Sequence, residues 1–234
     1  RSYAQFETDH RPSGSKRPLG DQMVARHHVL EELGYCQGWA LNHRGQLLRS
    51  IYHECDLLIA ESISWGVFEG LEPAQLAGLL SCFVFESKRA SRVPNAAKQV
   101  TTKKKRSLND RLGHDRRGNL TERLNDIVAI AASIREVESR YSVPHAKEPD
   151  GKFATTIAAW ARGASLGTVL DLADVEIGQT SPGDFVRNAK QVADLCEQLS
   201  RMSDLTAVAE VAGVARDAVL RSVVAGASSV HPRA

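Results

Sequence analysis

Leu48, Ile51, Cys55, Leu58, Ile59 and Ile63 recur at three- and four-residue steps, a spacing that lays apolar side chains along one face of an α-helix. The pattern predicts a helix from Leu47 to Trp65, closed by Gly66 and Gly70. Pro73 then opens a second helix at a first-turn position and carries Leu76, Leu79, Leu80, Phe83 and Val84 inward, so the two predict a packed helical hairpin. A long amphipathic helix is predicted from Asn119-Leu120-Thr121-Glu122, with Leu124, Ile127, Val128, Ala131, Ile134 and Val137 on its inner face, ending before Pro144. Phe153 to Arg162 and Ser165 to Leu172 predict two short helices parted at Gly163, the second capped by its serine. Further helices are predicted from Pro182 to Met202 and from Thr206 to Val224. Upstream, Gln22 to Leu33 predicts a helix stopped by Gly34. Between Tyr35 and Gln46, the pieces around Trp39-Ala40-Leu41 and a turn at Asn42-His43-Arg44-Gly45 predict a small hairpin. Residues 11–20 carry breakers without apolar period and predict a linker. The class is all-α, a helical bundle with a small β-hairpin near the N-terminus.

The segment Pro182 to Met202 has two faces. Phe185, Ala189, Val192, Cys196 and Leu199 share one. Arg187, Gln191, Asp194 and Gln198 form a polar one at the same helical steps. A guanidinium can meet a phosphate or stack on a base, and an amide can bond sugars and base edges with little sequence preference. Read from periodicity alone, the same face is also that of an ordinary solvated helix.

Composition adds little until charge is mapped along the chain. The total is +2, but from Lys88 to Arg117 eleven Lys or Arg face only Asp110 and Asp115, so the remainder is acidic. A basic stretch on an acidic body has the character of a phosphate-contacting arm, and Lys103, Lys104, Lys105 and Arg106 are its densest run. Cys36, Cys55, Cys82 and Cys196 are scattered among apolar neighbours without a C-x-x-C pair, the pattern of buried thiols in a reducing compartment. No apolar run reaches the roughly 18 residues of a membrane span, so the expected location is the cytoplasm, with no membrane partner.

Catalytic motifs are missing where they would be needed. A P-loop requires a glycine-rich turn followed by Lys and Ser or Thr to hold phosphates; Gly151-Lys152-Phe153 lacks the preceding glycine and the hydroxyl, and no Asp-Glu pair is present to hold magnesium. His53-Glu54 has Leu57 where a zinc peptidase needs its second histidine. His27 and His28 are adjacent and fall on different flanks of a helix. No catalytic residue, metal site or cofactor is expected in this chain.

Gly183-Asp184-Phe185-Val186-Arg187, followed by Lys190-Gln191-Val192-Ala193-Asp194-Leu195, resembles the G-D-F-V-R…K-Q-V-x-D-L motif of the DSHCT domain. That domain ends superkiller-like and exosome-associated DExH RNA helicases and their HelY-type relatives. Glu54-Cys55-Asp56-Leu57-Leu58, then Leu71 to Leu80 and Ser81, resembles the family's E-x-D-L-L…L-x-P-x-x-L-A-x-L-x-S. Trp160-Ala161-Arg162-Gly163 resembles its W-A-x-G. These matches run in family order over roughly residues 29–226. The resemblance implies a bundle that closes over RNA leaving the motor domains, with the Pro182–Met202 helix as a ratchet along the strand and Arg187 in contact with RNA. Gln191 and Asn188 accompany it as candidate contacts, although Asn188 stands where the family usually has an aromatic residue. Arg1-Ser2-Tyr3-Ala4-Gln5-Phe6 resembles the R-S-F-x-Q-F that closes the winged-helix part of these helicases, which a stalk and arch normally separate from the DSHCT region.

The expected organisation is therefore the end of a winged-helix-like element plus linker at 1–20, then a DSHCT-like helical domain at 21–234 with a basic insertion at about 88–118. The expected function is the C-terminal, RNA-guiding region of an ATP-dependent DExH RNA helicase. Its partners would be single-stranded RNA and the motor domains of the same parent chain, where ATP and Mg would bind. The alternative is a helical interaction scaffold whose basic loop docks an acidic partner or a ribonucleoprotein.

Overall fold

The computed structural model describes residues 18–86, 120–178 and 180–226, which form an all-α bundle carrying one two-stranded hairpin. Helix α1 (Leu19–Glu32) ends at Gly34, whose φ of 76° lets the chain reverse. Gly34 N–H then donates to Glu31 O at 3.0 Å and Tyr35 N–H to Leu30 O at 2.8 Å, the paired bonds that satisfy the last carbonyls of a helix. Strands β1 (Cys36–Gln37) and β2 (Ala40–Leu41) pair antiparallel, Cys36 opposite Leu41. The hairpin lies where the pattern placed it, but its turn is Gly38-Trp39, with Gly38 at φ 53°. Asn42 to Gly45 is instead the start of helix α2 (His43–Arg49), because the Asn42 side chain accepts from Gly45 N at 3.1 Å and caps it. Gly45 lies hard against the Tyr35 carbonyl, where a Cβ would collide.

The helix expected from Leu47 to Trp65 is in fact two. The chain leaves α2 at Ser50 and re-enters helix at α3 (Asp56–Ser64). Ile51 and Cys55 remain buried on either side of the break, so the three- and four-residue spacing carries through it and conceals it. Inside the break, His53 Nδ1 accepts from Cys55 N at 3.0 Å, a side-chain turn that competes with helix. Buried Glu61 of α3 holds the unit to its neighbours, accepting from Trp65 Nε1 at 3.1 Å and pairing with Arg44.

At the centre lies α4 (Pro73–Val84), with ten of its twelve residues buried. Pro73 stands at its first turn, and Glu72 and Gln75 form a reciprocal capping box. Around it pack α5 (Leu120–Arg140), α6 (Ala154–Ala161), α8 (Pro182–Ser200) and α9 (Thr206–Val219), while α7 (Leu166–Ile177) leans on α6. The α4–α6 approach needs a glycine: a Cβ on Gly78 would stand 2.7 Å from the Ala154 carbonyl oxygen. Buried Arg123 tethers α5 by reaching the carbonyls of Gly66 and Glu69 at 3.5 and 3.4 Å.

The helix expected from Thr206 to Val224 also divides, into α9 and a short α10 (Ser222–Gly226). Between them Arg221 turns inward and donates to Trp160 O and Ala164 O, its guanidinium 3.6 Å above the Trp160 ring. Trp160 Nε1 in turn donates to Val219 O at 2.9 Å. These polar contacts, invisible to apolar periodicity, set the boundary.

Candidate nucleic-acid interface

Helix α8 starts cleanly. Ser181 Oγ accepts from Asp184 N at 3.0 Å, Pro182 occupies the first turn, and the Asp184 carboxylate sits where the helix dipole favours an anion. Phe185, Ala189, Val192, Ala193, Leu195, Cys196 and Leu199 are buried. Phe185 meets Trp160 and Phe153 edge-on, with centroids 5.2 and 6.0 Å apart, which fixes the rotation of the helix about its axis. That rotation leaves Arg187, Gln191 and Asp194 exposed and Gln198 partly so, a stripe that spans about 16 Å at 1.5 Å per residue.

The members of this stripe differ in freedom. Arg187 is 67% exposed and donates through one guanidinium nitrogen to Asp184 at 2.9 Å, a pairing one turn back that holds the side chain along the helix. Gln198 accepts from Tyr52 N at 2.8 Å and donates to Tyr52 O at 3.4 Å, so its amide clamps the chain between α2 and α3. Asn188 is not part of the exposed face. It is only 8% exposed, and its Nδ2 donates to Asp184 O at 2.8 Å, so its amide serves the helix that carries it. Lys103, Lys104, Lys105 and Arg106 lie outside the described residues.

Other chemistry is weaker. His27, His28 and Glu31 of α1 place one potential ligand atom each within 4.8 Å of one another, but His27 Nε2 and Glu31 Oε1 are already engaged by Gly38 O and Gly38 N. Burial pushes the Cys55 thiol up to about 11 and Cys196 up to about 12, and Cys36 and Cys82 move the same way for the same reason. All four are buried and free, so none is primed as a thiolate. In the Gly151-Lys152-Phe153 turn, Asp150 accepts from Lys152 N at 3.1 Å and so caps the short helix that follows, and a Cβ on Gly151 would stand 3.1 Å from the Leu124 side chain.

The DSHCT (NUC185) domain family model matches residues 39–227. The chain belongs to that family. Its DSHCT domain is 34% identical over 186 residues to the probable helicase HelY of Mycobacterium tuberculosis, covering 77% of this chain and 19% of that protein. The Mycobacterium leprae probable helicase HelY is 35% identical over 184 residues, 77% and 18% of the two chains. The ATP-dependent RNA helicase mtr4 of Schizosaccharomyces pombe is 26% identical over 183 residues, 76% and 14%. The chain thus spans about a fifth of the length of the HelY proteins it matches.

The DSHCT motifs now acquire physical roles. In the Leu71–Ser81 stretch, Pro73 starts α4 and Gly78 admits α6. Trp160 of the W-A-x-G stretch is the ring on which Arg221 and Phe185 converge, and Gly163, at φ 103°, turns the chain out of α6. In the Gly183–Leu195 stretch, Phe185 is the anchor, and Arg187 and Asp194 are exposed charges. Sequence reasoning missed Tyr52 and Arg221 as partners of this assembly. Both act through backbone carbonyls or amides, which leave no trace in side-chain periodicity. No described helix is long and apolar enough to cross a membrane.

Proposed function

We propose that this DSHCT domain guides single-stranded RNA in an ATP-dependent DExH helicase, with α8 as the strand-contacting element and Arg187 and Gln191 as its contacts. The observation that carries the reading is a helix pinned on one side by Phe185 and exposing a guanidinium and an amide one turn apart on the other. The names of the relatives, probable helicases and an ATP-dependent RNA helicase, support the parent activity. ATP and magnesium would act in motor domains of the parent, which are also the domain's expected neighbours, in the cytoplasm. The Lys103–Arg106 run would add sequence-independent affinity, because each neutralised phosphate releases counterions.

The test is binding of the 234-residue chain to a single-stranded RNA oligonucleotide across a salt series. Arg187→Ala should weaken binding by about 1 to 3 kcal/mol and leave the melting temperature near wild type. Replacing Lys103, Lys104, Lys105 and Arg106 with Ala should flatten the log–log salt slope by about 3 units if all four meet phosphate. Binding that is indifferent to Arg187→Ala would remove α8 from the interface.

A further inference from the structure

An exposed guanidinium and amides can grip phosphate and sugar but offer little flat apolar surface, whereas sequence-tolerant single-strand binding also uses aromatic rings on which bases stack. Tyr52 and Trp39 are the most exposed aromatic side chains among the described residues, at 81% and 69%. Trp39 belongs to the hairpin turn, and one of its faces is covered by the His27 ring at 4.2 Å. Tyr52 is bonded to α8 itself. Gln198 holds its backbone at both N–H and C=O, and Gln198 is the last member of the stripe that begins at Arg187. On either side of it the chain is anchored by buried Ile51 and Cys55. The backbone of Tyr52 is therefore fixed from three directions, and its ring packs against almost nothing. A large ring carried on a fixed backbone but left in solvent gains little burial for the fold, while the fixed backbone lowers the ordering cost of stacking it on a partner.

We infer that Tyr52 is a base-stacking residue of this domain, placed by Gln198 at the far end of the α8 stripe to receive an unpaired nucleobase. The inference rests on the RNA-guiding reading of α8 and adds the contact which that reading lacks. On this account the strand runs along α8 from Arg187 toward Gln198, held by charge and amides at the start and by stacking at the end. Gln198 is a positioning residue, since its amide is spent on the Tyr52 backbone.

The experiment measures binding of the full 234-residue chain to a single-stranded oligouridine and to the same strand with one abasic position scanned along it. Tyr52→Ala should weaken binding to the intact strand about 5- to 150-fold, and Tyr52→Phe should bind within about twofold of wild type, because the ring and not the hydroxyl stacks. The salt slope should not change in Tyr52→Ala, since a neutral ring releases no counterions. At one abasic position the difference between wild type and Tyr52→Ala should vanish; a purely structural role for Tyr52 would leave that difference constant along the scan. If Arg187→Ala weakens binding while Tyr52→Ala does not, or if no abasic position absorbs the Tyr52→Ala loss, the stacking assignment is wrong and the α8 interface stands. If neither Arg187→Ala nor Tyr52→Ala alters binding, both assignments fall together.

Discussion

Removing the Arg221 side chain should destabilise the bundle from a point far in sequence from its centre. Arg221 Nε and one terminal nitrogen donate to Trp160 O at 3.1 and 2.6 Å, the same nitrogen reaches Ala164 O at 2.5 Å, and the guanidinium covers the Trp160 ring at 3.6 Å. The carbonyls lie at the C-terminal end of α6, where a cation also meets the negative end of the helix dipole. Hydrogen bonds from a charged group contribute about 1.5 to 3 kcal/mol each and a partly desolvated cation–π contact about 0.5 to 2 kcal/mol. Offsetting these is the desolvation of the guanidinium, whose pKa burial lowers. The expected net loss for Arg221→Ala is about 2 to 4 kcal/mol, equivalent to roughly 5 to 15 °C in a domain of this size. Arg221→Lys should recover only part, because an ammonium cannot fork between two carbonyls while lying flat on a ring. Urea unfolding followed by far-ultraviolet circular dichroism measures this directly. A midpoint for Arg221→Ala equivalent to less than about 0.5 kcal/mol of loss would refute the claim that these contacts hold α6 to the C-terminal segment.

Gly78→Ala should cost about 1 to 3 kcal/mol, because its Cβ would stand 2.7 Å from the Ala154 carbonyl oxygen and 3.1 Å from the Ala158 Cβ; an unchanged urea midpoint would show that α4 and α6 do not approach so closely. His53 should make stability depend on pH. Burial, its largest influence, lowers its pKa in the fold, and its Nδ1 lone pair is spent on Cys55 N. The stability it contributes is present above the unfolded histidine pKa of about 6.5 and is lost as pH falls through the lower folded value. His53→Asn, which can accept the same N–H without titrating, should therefore lose less stability than wild type between neutral and mildly acidic pH. Equal losses in calorimetry would refute this. Val192→Asp should unfold the bundle by burying an unpaired charge at a site with no exposure, and a native circular dichroism spectrum would contradict the core assignment.

Much of this fold was legible because helix after helix buries one apolar stripe. Leu76, Leu79, Leu80 and Phe83 were enough to set α4, and Phe185, Ala189, Val192 and Cys196 set the orientation of α8 and hence the exposure of Arg187. The misreadings share a cause. At Ile51–Cys55 and at Leu220–Arg221 the apolar period continues across a break made by polar groups, His53 on an amide in one case and Arg221 on two carbonyls in the other. Asn42 looked like a turn residue because turns and helix caps draw on the same side-chain acceptor. Asn188 is a candidate through its place in the motif and not through the helical period, which sets it three residues after Phe185 and four before Val192, on the buried face. Although next to Arg187 in sequence, it is buried, and its amide donates to Asp184 O.

The position of α4 carries a consequence for how the protein comes into being. Its inward residues are covered in part by α8 and α9, and α9 begins about 120 residues after α4 ends. At translation speeds of about 5 to 20 residues per second, α4 leaves the ribosome roughly 6 to 24 s before that cover exists. During this interval a nearly all-apolar helix stands partly naked on the nascent chain, and the domain's yield in a cell depends on what shields Leu76, Leu79, Leu80 and Phe83 until the last third of the chain is made.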